Sequence, residues 1–232
     1  MSNTEFETFL YIGRENLIIF AKRNTDKEHF FKKKFVLDKS KKNLDLKLLN
    51  QFLIENVFKI EKDINGFIKN MNLIITKKFL DIKISIKKDN YDEIINKKFL
   101  NYLLGDAKRQ VKENYNNYEI IHLLIERYYI NDQKYDQFPL NKKADNLIVD
   151  LNFLCLSKKF IRELEQILRI YQIRINKIVS ADYIENYFEN DNSDIFSNCQ
   201  RIIEGTNQNE VLLIAKNQKK LGFFERFFHL FS

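Results

Sequence analysis

The stretch Phe9-Leu10-Tyr11-Ile12-Gly13-Arg14-Glu15-Asn16-Leu17-Ile18-Ile19-Phe20-Ala21 holds two apolar runs on either side of a short polar turn. Runs of this kind predict two strands joined tightly between Gly13 and Asn16. A third strand is expected around Phe30 to Leu37. Asp45 then offers an N-cap to a helix with apolar positions Leu48, Leu49, Phe52, Leu53, Val57, Phe58 and Ile60, running to about Asp63. Gly66 breaks it. Phe67-Ile68 with Met71 to Ile75 begins the next strand.

Beyond this opening the pattern alternates. Asp81-Ile82-Lys83-Ile84-Ser85-Ile86-Lys87 switches strictly between apolar and polar residues, as a half-buried strand does. A helix is expected from Asn96 to Asn114, with Phe99, Leu100, Leu103, Leu104, Ala107 and Val111 on its apolar stripe. Glu119 to Ile130 reads as a long strand, Asn131-Asp132-Gln133 as a turn, and Pro139, the only proline, falls in the loop that follows. Asn146 to Leu156 alternates again, with Leu147, Val149, Leu151 and Phe153 on one face. Ser157 is placed to cap a helix through Tyr171, with Phe160, Ile161, Leu164, Ile167 and Leu168 turned inward. Ile173 to Val179 is strand-like, and Ala181 to Phe188 begins another helix. Glu189 to Ser197 is polar and acidic, the loosest connection expected, before Ile202 to Ile214 returns to the body. The order of elements is α+β or α/β, without internal repeats.

At 232 residues and 44% hydrophobic content, the chain can bury one full core or two small ones. No window approaches a transmembrane helix. The start, Met1-Ser2-Asn3-Thr4-Glu5, has neither the basic nor the apolar region of a signal peptide, so the body is expected to be cytosolic. Cys155 and Cys199 are isolated and read as reduced structural thiols.

A net charge of +7 suggests anionic partners. Scarce Gly, Pro and Trp beside abundant Lys, Asn, Ile and Phe point instead to AT-rich coding, with lysine spread along the chain. One dense cluster stands out, Lys32-Lys33-Lys34 with Lys39, Lys41 and Lys42. It reads as a solvated strand end and turn, with nucleic-acid contact as the rival reading.

No catalytic constellation is visible. His29, His122 and His229 lack metal-ligand spacing, and His122 falls within a strand, where a hydrogen-bonded structural histidine is expected. A phosphate cradle needs glycines that let backbone amides approach the anion. Gly13, Gly66, Gly105, Gly205 and Gly222 are all isolated. The expectation is a protein without catalysis, cofactor or metal.

The end of the chain carries a different signal. Lys219, Lys220, Leu221, Phe223, Phe224, Arg226, Phe227, Phe228, Leu230 and Phe231 form a helical pattern with one ring-rich face and cations beside it. The run is far shorter than the roughly 20 apolar residues that span a bilayer. It predicts a helix lying in the interface of an anionic membrane. The bland alternative is a final helix docked on the protein's own core.

Ile120-Ile121-His122-Leu123-Leu124-Ile125-Glu126-Arg127-Tyr128-Tyr129-Ile130-Asn131-Asp132 is similar to the "xxHxIPQxxxxD" strand of the bacterial actin-like cell-division family of FtsA. Asn146 to Cys155 and Phe160 to Ile170 resemble its next strand and helix, and Tyr171 to Tyr183 its "xGLxVxxIVxxxLAS" segment. Asp45 to Ile75 resembles the helix and strand before the inserted subdomain 1C. Leu10 to Asn16 stands where the family has its "LDIGTSK" phosphate loop, and the tail where it has a membrane-targeting helix.

The resemblance implies a partial actin-like (ribonuclease H-like) 1A subdomain, residues 1–80 with 173–215, and an SHS2-like 1C subdomain, residues 81–172. A targeting helix over residues 216–232 completes it. The loop is degenerate: Tyr11 replaces the family's Asp, and Arg14 and Glu15 follow Gly13 where it has Thr and Ser. The second phosphate loop, from subdomains 2A and 2B, has no counterpart.

The implied function is a nucleotide-free division adaptor at the cytoplasmic face of the inner membrane, near the division site. It would hold other divisome proteins and self-associate through the 1C-like region, without binding nucleic acid. Two alternatives accompany it: a pilus-type actin-like assembly platform, and a basic nucleic-acid-binding module.

Overall fold

The computed structural model describes residues 6–23, 31–37, 45–76 and 79–211. They divide into two compact units, Ser2–Phe79 with Ser157–Thr206, and Leu80–Leu156 with the described residues from Asn207.

The first unit is built on a five-stranded sheet in the order β3-β2-β1-β4-β9. The opening hairpin joins β1 (Phe6–Ile12) to antiparallel β2 (Asn16–Arg23), and β3 (Phe31–Val36) pairs antiparallel on β2. β4 (Asn70–Ile75) lies parallel to β1, and β9 (Arg174–Ser180) parallel to β4. Phe9, Leu10, Leu17, Ile19 and Phe20 are all buried. Both faces of the sheet are therefore covered, which explains continuous apolar runs where a one-sided strand would alternate.

Helix α1 (Leu46–Ile64) covers one face, where the Phe35 and Phe52 rings lie 6.2 Å apart. The Asp45 carboxylate caps it by accepting the Lys47 N–H at 2.9 Å. Its end differs from expectation. Asn65, at φ 52°, takes the left-handed turn, and the Gly66 N–H donates to the Glu61 carbonyl at 3.0 Å. Phe58, expected inward, is 73% exposed. The buried row is Leu49, Phe52, Leu53, Asn56, Val57, Ile60 and Ile64, and Asn56 is tolerated there because its amide donates to the Phe52 carbonyl at 2.7 Å.

The other face meets α5 (Ile195–Ile203), whose Phe196 stacks on Phe20 at 4.4 Å and meets Phe9 edge-on at 6.0 Å. This corrects the reading of Glu189–Ser197 as a loose connection. The Asp194 carboxylate accepts the N–H groups of Phe196 and Ser197, starting the helix inside that stretch. Asp191 bonds Ser193 and Arg201, and those hydrogen bonds hold its carboxyl down to about 2. Helix α4 (Ala181–Tyr187) leads from β9 towards α5.

The second unit has a four-stranded sheet, β5-β8-β6-β7. β5 (Leu80–Ile94) and β8 (Lys143–Ser157) pair antiparallel over most of their length. β6 (Tyr118–Ile130) folds back onto β7 (Gln133–Tyr135) through Asn131 and Asp132, both left-handed at φ 46° and 65°. A two-residue hairpin turn of this hand requires that conformation, and Asn and Asp tolerate it. Helix α2 (Lys97–Asn114) starts at Asn96, which accepts the Phe99 N–H at 3.0 Å. Its Leu100, Leu103, Leu104, Ala107 and Val111 share a core with Leu123, Leu147, Val149, Leu151 and Phe153.

The units divide elsewhere than at the expected boundaries. Helix α3 (Lys158–Ile170) belongs with the first unit, packing on β9, and the Tyr171 hydroxyl donates to the Asn50 side chain of α1 at 2.9 Å. Of the two long helices inside the expected 81–172 subdomain, α2 stays with the second sheet and α3 does not. Residues 207–211, expected with the first unit, join the second. Val211 N–H donates to the Leu123 carbonyl and Ile125 N–H to the Asn209 carbonyl, each at 2.8 Å. Among the described residues, no helix is long and apolar enough to cross a membrane.

Cys155 and Cys199 are buried free thiols. Burial pushes the Cys155 thiol up to about 11 and raises Cys199 as well. The thiolate is the reactive form. At pH 8 neither cysteine of the native protein is expected to take up iodoacetamide, while both label in denaturant; rapid native labelling at either would contradict this burial.

Candidate functional site

In open α/β sheets ligands gather at the carboxyl ends of the parallel strands. Here that end holds the turn Gly13-Arg14-Glu15 after β1, Thr76 after β4, and Ser180, which caps α4 after β9. The Thr76 N–H donates to the Ile12 carbonyl at 3.1 Å, tying β4 to the end of β1. Ser180 Oγ accepts the Tyr183 N–H at 3.3 Å.

The turn is closed on itself. Gly13 N–H donates to the Asn16 carbonyl at 2.9 Å, and Leu37 N–H to the Glu15 carbonyl at 2.7 Å. Glycine at position 13 allows a close approach. A Cβ there would stand 2.5 Å from Cε1 of Tyr11 and 3.0 Å from the Asn16 carbonyl oxygen. The half-buried Tyr11 ring thus lies over the glycine, while Arg14 and Glu15 point to solvent. Burial first, then the Glu185 and Asp182 carboxylates, push the Tyr11 phenol above its ordinary value. The four candidate loop residues are brought together, in a setting of ring and carboxylates.

Sequence reasoning missed Asp182 and Glu185. The only available signal was their position in the helix after β9, which does not say what that helix faces. It also missed the partner of His122. The His122 Nδ1 lies 2.7 Å from Glu210 Oε1, and the two side chains are 3% and 7% exposed. This is the hydrogen-bonded structural histidine expected in that strand. Among the described residues, no group of three His, Cys, Asp or Glu side chains converges as a metal site. The candidate membrane residues, Lys219 to Phe231, lie outside the described residues.

No family model matches the sequence, and no curated protein matches it. Among solved structures the chain is similar to the PilM-PilN type IV pilus biogenesis complex, with 10% identity and a TM-score of 0.50 over 78% of this chain and 49% of that one. It is also similar to the cytoplasmic domain of EpsL, an inner membrane component of the type II secretion system of Vibrio cholerae (7% identity, TM-score 0.37, 77% of this chain, 58% of that one). A third likeness is to a Bacteroides thetaiotaomicron protein with an actin-like ATPase fold (14% identity, TM-score 0.31, 79% of this chain, 55% of that one). The last two superpose too loosely to carry an argument.

The chain spans about half the length of the solved structures it matches. The fold is mixed α/β with two sheets, and the likeness to the PilM-PilN complex extends over most of the chain. The cell-division family is not among these likenesses, and the SHS2 assignment of the second unit gains no support from them.

Proposed function

We propose that this chain is a non-catalytic, actin-like platform of the pilus kind, holding a membrane-anchored assembly protein at the inner face of the membrane. The observation that carries this reading is the likeness to the PilM-PilN complex over most of the chain. It favours the pilus-type alternative over the division adaptor. The apolar tail would add a second hold on anionic lipid.

The closed turn supports the non-catalytic part. Gly13 uses its amide on Asn16, the Tyr11 ring covers it, and the charges of Glu185 and Asp182 add to burial in raising the Tyr11 phenol. A phosphate would meet like charge and find no open cradle of amides. Calorimetry with Mg-ATP is expected to show no saturable heat. Micromolar binding that disappears with Arg14→Ala would overturn it.

A fluorescent fusion in dividing cells separates the readings of function. The platform reading expects envelope foci that do not track the septum, and loss of surface filaments on deletion of the gene. A mid-cell ring would restore the division adaptor, and signal over the nucleoid the nucleic-acid module.

A further inference from the structure

The run Lys32-Lys33-Lys34 forms the outer strand of the first sheet. β3 has β2 on one side, as the terminal strand in the order β3-β2-β1-β4-β9. The hydrogen bond from Leu37 N–H to the Glu15 carbonyl fixes the phase of the ladder. By antiparallel alternation Phe31, Lys33 and Phe35 direct their main-chain groups to β2, and Lys32, Lys34 and Val36 direct theirs to the edge away from β2, where no strand pairs among the described residues. Side chains alternate too: Lys32, Lys34 and Val36 project from one face, Lys33 and Phe35 from the other. Every residue from Lys32 to Val36 is exposed, Val36 by 66% and Phe35 by 39%. Among the described residues no carboxylate pairs with any of the three amines.

We propose that the β3 edge takes up an extended acidic segment of a partner protein as an added strand. Unpaired main-chain groups on a sheet edge are a template for another strand. The lysines decide which strand is accepted. A second copy of β3 would set Lys against Lys, and like charges directly opposite are destabilising.

Nucleic acid and a flat membrane fit this edge less well. Each presents its phosphates to one side, whereas Lys33 leaves the opposite face from Lys32 and Lys34. An incoming strand has side chains on both faces, as β3 does. Glu at alternate positions meets Lys32 and Lys34, and apolar residues between them meet Phe35. The surface is independent of the pilus-type reading, since any scaffold could dock a partner here.

The test uses the full chain and two labelled peptides of equal charge and sequence, alternating Glu and Val, the second N-methylated at every residue. The methylated peptide keeps the carboxylates but has no main-chain N–H to donate, so it cannot complete a ladder. At about 50 mM salt the Glu/Val peptide is expected to bind at least about 10-fold tighter than the methylated peptide, and to weaken as salt rises. Hydrogen exchange should slow at the amides of Lys32, Lys34 and Val36.

Lys34→Pro removes an outward N–H, and the pair Lys32→Glu with Lys34→Glu reverses the charge while sparing every main-chain donor. Both variants should lose the Glu/Val peptide by about 10-fold or more. Absence of saturable binding overturns the proposal, as does equal affinity for both peptides or unchanged exchange at the three amides. Stronger binding of a DNA duplex, or of anionic vesicles, that is lost in the charge-reversal pair would reassign the surface to that partner.

Discussion

Removing Leu221–Ser232 is expected to release the protein from anionic vesicles and leave its melting temperature nearly unchanged. Five Phe rings lie in that stretch, and burying one fully is worth roughly 1.5–3 kcal/mol. Half-burial of all five in a bilayer interface would supply roughly 4–7.5 kcal/mol, a Kd between about millimolar and a few micromolar. Lys219 to Ser232 carries three positive side chains and one negative, for +2. Added salt should therefore weaken binding without abolishing it. Changing Phe224 and Phe228 together to Glu should act like the deletion. Sedimentation with vesicles and a thermal melt, run on the same samples, check both halves of the expectation. A large loss of stability with unchanged sedimentation would mean that the tail packs on the protein itself.

Leu103→Ala and Leu164→Ala are each expected to cost about 2–5 kcal/mol, the range for deleting buried leucine methyls where the site cannot collapse. Each side chain is 1% exposed. They report from different places. Leu103 lies in α2 on the second sheet, so its loss should speed amide exchange in β6 and β8. Leu164 lies in α3, which packs on β9, so its loss should appear in β9 and β4. Exchange in β6 and β8 that rises with Leu164→Ala, with β9 untouched, would return α3 to the second unit.

Much of the architecture was legible because it is local. The hairpin at Gly13–Asn16, the Asp45 and Asn96 caps, the turn at Asn131-Asp132 and the stripe of α2 all follow from residues within a few positions of each other. Helix α5 was legible too, though read as a loop: Asp194 precedes Phe196, Cys199 and Ile202 at helical spacing. Polar residues before that cap masked the signal. At the candidate site, Tyr11 in place of a carboxylate was visible in the sequence.

Other features needed the assembled chain. The amphipathic stripe of α3 says that the helix is half-buried and nothing about which sheet buries it, since either would satisfy the same hydrophobic face. Phe58 fits an apolar pattern and still points to solvent, because the burying face of α1 is set by where the sheet lies. His122 and Glu210 are 88 positions apart, and only the pairing of residues 209–211 along β6 brings them together. Asp182 and Glu185 reach Tyr11 only because β9 lies two strands from β1 and carries α4 to the end of the sheet. The sequence alone settled most strands and helices and the Asp45 cap, which are governed by short-range hydrogen bonding and periodicity, whereas Ser157, expected to cap α3, makes no side-chain cap hydrogen bond. Tertiary structure decided which faces meet and which charges become neighbours, because burial and Coulomb interactions depend on distance in space and not along the chain.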